Sequence, residues 1–114
     1  MVFIVGGLAS GKKAYVMEQL GYLEDQIADG VLDERPVVYN LQNLLRTDDG
    51  PDLLTALLTK EIVVCNEVGS GIIPLDEKDR LWRETTGRFS IELARRADRV
   101  IRLVSGLPVI LKEG

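Results

Sequence analysis

Histidine is missing altogether from the 114 residues. Ser-His-Asp and Cys-His catalysis, imidazole-ligated metals and phosphohistidine intermediates are therefore excluded within this chain. Cysteine occurs once, at Cys65. No internal disulfide can form, and a reducing, cytoplasmic setting is expected. Cys65 ends the apolar run Ile62-Val63-Val64-Cys65, which makes it a buried strand residue rather than a reactive thiol. No apolar run approaches the ~20 residues of a bilayer crossing, so no membrane partner is expected. The start, Met1-Val2-Phe3-Ile4-Val5, has no charged leader and reads as a first strand, not as a signal peptide. An excess of basic residues is also lacking: 14 Lys and Arg stand against 18 Asp and Glu, a formal net charge of −4. General affinity for nucleic-acid backbones is not expected. The basic residues between Arg80 and Arg102 are interleaved with Glu84, Glu92 and Asp98, as on a solvated mixed face.

No internal repeat, low-complexity stretch or linker divides the chain, so residues 1–114 are read as one domain. Val2 to Val5 suits a central strand buried on both faces and ended by Gly6-Gly7. A helix is expected after Gly11, with Val16, Leu20, Leu23 and Ile27 along one face and an interruption at Gly21. Asp25 to Arg35 reads as a polar surface loop. Val37 to Asn40 predicts a strand and Leu41 to Arg46 a short helix. Asp48-Asp49-Gly50-Pro51 is a turn, after which Asp52 is the expected N-cap of a helix through Leu58. Ile62 to Cys65 is a further buried strand. Asp76 to Ala97 is the longest helix, with Leu81, Thr85, Arg88, Phe89, Leu93 and Ala97 tracing much of one face and Trp82 beside it. Val100 to Val104 is a strand, Ser105-Gly106-Leu107-Pro108 a turn, and Val109 to Lys112 an antiparallel edge strand. Strands alternating with helices imply an α/β layered domain with a mostly parallel sheet.

Gly6-Gly7-Leu8-Ala9-Ser10-Gly11-Lys12-Lys13 follows the spacing G-x-x-x-x-G-K-x between a predicted strand and a predicted helix. Glycines let the backbone curl so that several N–H groups face one anion, and the helix adds its positive dipole end. Lys12 reaches the terminal phosphates as a point charge. All eight residues are candidate nucleotide ligands. The next position normally carries Ser or Thr, whose hydroxyl binds Mg²⁺. Here it is Lys13, whose ammonium cannot ligate a cation. Either Lys13 points away, with any Mg²⁺ held by water and phosphate alone, or it supplies positive charge where the metal would lie. Nucleotide binding with weak dependence on Mg²⁺ is expected.

Asn66 and Glu67 lie at the carboxyl end of a predicted strand, where α/β sheets bind ligands. Glu67 is either a base toward a substrate hydroxyl (or an orienter of metal-bound water), or a structural partner of a nearby arginine. Gly69 and Gly71 would allow close backbone approach before Pro74. Among the arginines that follow, Arg80 stands nearest this loop and is the one expected to face the site.

These residues resemble the bifunctional adenosylcobinamide kinase/adenosylcobinamide-phosphate guanylyltransferases of cobalamin biosynthesis. The resemblance is carried by Gly6-Gly7-x-x-Ser10-Gly11-Lys12 and by Asn66-Glu67-Val68-Gly69-x-Gly71-Ile72-x-Pro74. Arg80-Leu81, Gly87-Arg88, Leu93-Ala94, Ala97-Asp98-x-Val100, Val104-Ser105-Gly106 and Lys112 extend it. From Glu61 onward it is nearly continuous; from about Gly21 to Lys60 it is poor. It implies a phosphate-loop (P-loop), Rossmann-like α/β domain of three layers, often a homotrimer. It also implies phosphorylation of the cobinamide hydroxyl by ATP or GTP, then transfer of GMP through a histidine-bound nucleotide. The chain is shorter than such enzymes, the missing material falling in the middle, where that histidine segment belongs. An acidic residue expected at the end of the middle strand is here Asn40.

Without its nucleophile, guanylyl transfer by that route is chemically excluded. Phosphoryl transfer asks mainly for positioning and charge, so the expected function is nucleotide binding with a kinase step. Lys12 and Glu67 are its catalytic candidates, and Asn66, Gly69, Gly71 and Arg80 its substrate-binding candidates. The alternative is a non-catalytic nucleotide- or corrinoid-binding module.

Overall fold

A computed structural model describes residues 1–67 and 76–114. The apolar runs form the strands of a six-stranded sheet: β1 (Val2–Gly6), β2 (Ile27–Asp29), β3 (Val37–Tyr39), β4 (Ile62–Asn66), β5 (Arg99–Val104) and β6 (Leu107–Glu113). Their order is β2-β3-β4-β1-β5-β6. All neighbours are parallel except β6, which returns antiparallel beside β5. The central strands carry nearly unbroken Val and Ile because both faces are covered.

One face is covered by α1 (Lys12–Ala14), which runs on as a π-helical turn at Tyr15–Gln19. There Ile4, Val64, Ile101 and Leu103 pack with Val16 and Ile27. The other face carries α2 (Leu41–Leu44), α3 (Pro51–Leu58) and α4 (Glu77–Arg96). Phe3, Val63 and Cys65 pack there against Leu41, Leu57 and Leu93. The result is the expected three-layer, Rossmann-like α/β fold with an antiparallel edge strand.

Three local expectations are corrected. Ile27 does not extend the first helix. Gly21, at φ +82°, reverses the chain, and Ile27–Asp29 becomes edge strand β2, in register with Val37–Tyr39. The region from Asp25 to Arg35 therefore contains a strand, too short to show alternation. Asp52 is not an N-cap: Gly50 holds that place, and Pro51 opens α3, its missing N–H costing nothing there. Leu81 stays 54% exposed. The buried face of α4 is instead set by Thr85, Thr86 and Leu93, with Trp82 and Phe89 packed partly against the core. Thr86 tolerates full burial because its hydroxyl donates to the Trp82 carbonyl at 2.8 Å.

The connections position the site. β1 leads into α1 on one face, and the chain beyond β4 reaches α4 on the other. β1 and β4 are adjacent and parallel, so a crevice opens between their carboxyl ends, the usual ligand position in such sheets.

Candidate functional site

Gly6, Asn66 and Leu103 stand side by side at the ends of β1, β4 and β5. From Gly6 the loop curls through positive φ at Ala9 (59°) and Gly11 (84°). A side chain at Gly6 would run into Ser10 Oγ and lie 3.0 Å from the Leu103 carbonyl oxygen, so only glycine fits that approach. The Ser10 N–H donates to Gly7 O at 3.2 Å. Lys12 folds back over the same loop, its ammonium donating to Gly7 O at 2.6 Å and to Ser10 Oγ at 3.2 Å. Only 4% of Lys12 is exposed. Burial lowers its pKa, against a smaller upward pull from Cys65 and Glu67. A lysine held in the mouth of its own loop is a ready counter-charge for an anion.

The β5–β6 turn supports the loop from outside. Gly106 N–H donates to Ser10 O at 2.9 Å, and a Cβ on Gly11 would sit 3.4 Å from Gly106 Cα. Between this turn and α1 lies a groove of about 220 Å³ lined by Gly11, Ala14, Tyr15, Glu18, Gln19 and Gly106.

Lys13 turns away from the loop. Its ammonium pairs with Glu24 at 2.6 Å, and that hydrogen bond raises its pKa. Among the described residues no group of three or more His, Cys, Asp or Glu side chains could hold a metal ion. At the position after Lys12, where a hydroxyl ligand would stand, Lys13 offers no side-chain ligand for Mg²⁺.

Glu67 joins the loop through its backbone, its N–H donating to Gly6 O at 2.9 Å. Its carboxylate is gripped at two points by Arg102, Nε to Oε1 at 2.6 Å and Nη2 to Oε2 at 3.2 Å. Of the two readings of Glu67, the arginine partner is present, but it is Arg102 of β5. Arg80 lies exposed in the first turn of α4 and makes no ion pair with Glu67. Gly69 and Gly71, with Val68 and Pro74, lie outside the described residues. Arg102 gave no signal in the sequence, because only the β1–β5 pairing brings it beside Glu67.

Gln42 was also missed. It is buried; its Oε1 accepts the Asn66 N–H at 2.9 Å and its Nε2 donates to Asn40 Oδ1 at 3.0 Å. Asn40, at φ +56°, passes the chain on to Asp29 at 2.7 Å. The Gln42 carbonyl accepts Trp82 Nε1 at 2.6 Å, and Arg46 lies 3.7 Å over the Trp82 ring. One residue thus ties the ends of β3 and β4, through its side-chain amide, to α4, through its backbone carbonyl. Cys65, beneath Asn66, is fully buried, and burial pushes its thiol up to about 12. It is a packing residue.

Comparisons with known proteins bear on the family. The model of the family described as cobinamide kinase / cobinamide phosphate guanyltransferase matches residues 38–111. The match includes residues 38–60, where resemblance by motif is poor, and it begins after the phosphate loop. The chain is similar to the bifunctional adenosylcobalamin biosynthesis protein CobP of Pseudomonas aeruginosa, 37% identical over 82 residues, 63% of this chain and 47% of that protein. It is also similar to the corresponding CobU proteins of Salmonella typhimurium (43%) and Escherichia coli K12 (42%), each over 53 residues, 46% of this chain and 29% of theirs. The chain spans under half the length of these relatives. With well over half of its own residues matched by the family model, the chain belongs to the cobinamide kinase / cobinamide phosphate guanyltransferase family.

Proposed function

We propose that the chain binds a nucleoside triphosphate, ATP or GTP, on Gly6–Lys13, and transfers its terminal phosphate to the hydroxyl of a cobinamide-like corrinoid. The observation that carries this reading is the buried Lys12 ammonium, held on Gly7 O within a glycine loop at the β1–β4 crevice. Bound triphosphate would exchange that carbonyl for phosphate oxygens, and the loop amides would share the negative charge. The acceptor hydroxyl oxygen would then bond to the terminal phosphorus as the bond to the bridging oxygen breaks. A nucleoside diphosphate leaves, and the hydroxyl proton passes to Glu67 or to water. Asn66 lies beside this centre, and Arg80, Gly69 and Gly71 remain proposed substrate contacts. No step runs through a metal. Guanylyl transfer through a histidine-bound nucleotide is not proposed, since the chain has no histidine. Work in the cytoplasm, and assembly as a homo-oligomer (a trimer by family analogy), belong to the same proposal.

A second reading is favoured by a specific observation. Glu67 is neutralised by Arg102 and Lys13 by Glu24, as suits a module that binds nucleotide or corrinoid without turning it over. One experiment separates the two. Incubation of the chain with labelled ATP or GTP and cobinamide yields phosphorylated cobinamide if it is a kinase, and this is lost in Lys12→Ala. Calorimetric binding of nucleotide without product supports the module. Binding of neither triphosphate nor cobinamide rejects both. Labelled GTP is expected to leave no covalent nucleotide on the chain.

A further inference from the structure

Arg102 stands on β5 in register with Val5, one residue short of Gly6. Glu67 follows Asn66, which is in register with Gly6 on the opposite flank. The guanidinium therefore reaches across the end of β1, the strand that feeds the phosphate loop, to make its two-point pair. The Arg102 side chain is 50% exposed and that of Glu67 32%, so water screens the pair and it holds weakly. Glu67 also lies near enough to Lys12 for its charge to favour the protonated ammonium. Two cations thus flank a single carboxylate at the mouth of the loop. A terminal phosphate offers more charge and more acceptor oxygens than a carboxylate, and a guanidinium grips it with the same fork.

We propose that Arg102 is a second phosphate-binding cation of this site. When a triphosphate arrives, Arg102 exchanges the Glu67 carboxylate for oxygens of the terminal phosphate, and the exchange unmasks Glu67 toward the acceptor hydroxyl. The inference rests on the phosphate-loop reading above. It is a swap of ion-pair partners, with no covalent bond made or broken. The ligand-free chain keeps its carboxylate neutralised, and only the loaded site presents it.

The test is titration of the full chain with GTP, ATP and the matching monophosphates in EDTA. Wild-type binding that Lys12→Ala abolishes establishes the loop reading alone; a wild type that ignores triphosphates ends both. Given binding, Arg102→Gln weakens triphosphate affinity about tenfold or more, the scale of a lost charge-assisted hydrogen bond, and weakens monophosphate far less. Glu67→Gln tightens triphosphate, and this gain shrinks in the Arg102→Gln background, where no arginine is left to release. If Arg102 merely shields Glu67, the gain grows in that background, because a bare carboxylate repels phosphate more. That outcome, or unchanged triphosphate affinity in Arg102→Gln, overturns the proposal and leaves the loop reading standing. Should Arg102→Gln not fold, Arg102→Lys keeps the charge without the fork and is expected to lose part of the affinity; no loss there overturns the proposal equally.

Discussion

Lys12 shows how burial turns a charge into a titratable reporter. Its pKa is lowered from 10.5, chiefly by desolvation. A phosphate beside it would raise the pKa again. Between the free and bound values the complex holds a proton that the empty site lacks, so binding takes up a proton and affinity falls as pH climbs through that window. The stability of the empty chain has the opposite sign. Its folded form holds this proton less tightly than the unfolded chain, so the cost of the buried ammonium, present below the lowered pKa, is relieved as pH rises toward 10.5. Titration calorimetry in alkaline buffers of differing ionisation enthalpy reads the uptake directly. A pH-independent proton count would contradict the argument. Gln42 makes a second residue-scale prediction. In Gln42→Leu the Asn66 N–H loses its acceptor, a loss of about 1–3 kcal/mol in stability, measured as a lower urea midpoint. Neither Gln42 nor Arg102 is legible in sequence, because each acts on a residue 24 or 35 positions away. Lys12 is legible, because its loop is local and its spacing is dictated by backbone geometry.

Among the elements, strands and long helices were legible where the local apolar pattern follows burial. β1, β4 and β5 read directly as apolar runs, and α4 as a long amphipathic stretch with Asp76 capping it through the Asp79 N–H at 2.8 Å. Legibility failed where tertiary pairing, rather than local pattern, decides. β2 is three residues long and is a strand only because β3 lies beside it. The β5–β6 turn was located but read too long. Ser105 (φ 50°) and Gly106 (φ 78°) form it alone, both left-handed, and Leu107 already pairs with Val104. Two left-handed central residues fit a type I′ turn, whose preferred pair is Asn-Gly. Ser105→Asn is therefore expected to stabilise the hairpin by a few tenths of a kcal/mol, on the order of 0.5, since Asn tolerates this φ better than Ser. A small rise in Tm checks it. Because Gly106 N–H donates to Ser10 O, the same turn braces the phosphate loop. Gly106→Ala, strained at φ +78° although open space surrounds it, should lower Tm and weaken nucleotide binding together.

At the scale of the whole molecule, the crevice between the carboxyl ends of β1 and β4 is where a ligand is proposed to sit, and the fate of Lys13 bears on what accompanies it. The chain carries an acidic net charge of −4, and no helix among the described residues is long and apolar enough to cross a membrane. Its positive charge at the crevice is therefore local, concentrated in Lys12 and Arg102. Lys13 is committed to Glu24 on the α1 side. Lys13 offers no hydroxyl at the position after Lys12, so on the proposed reading the ligand's charge is met by amides, Lys12 and Arg102. A ligand that binds only the folded chain stabilises it by mass action. At a hundredfold excess over Kd the gain is about 2.7 kcal/mol, which for a chain of this size corresponds to a Tm rise on the order of 10 °C. That rise is expected with ATP or GTP in EDTA nearly as fully as in Mg²⁺, and it should vanish in Lys12→Ala. If binding instead requires the metal, weakening on the order of a hundredfold without it, a cation must be seated by the phosphates against this loop despite Lys13, and the charge balance argued for the crevice is wrong.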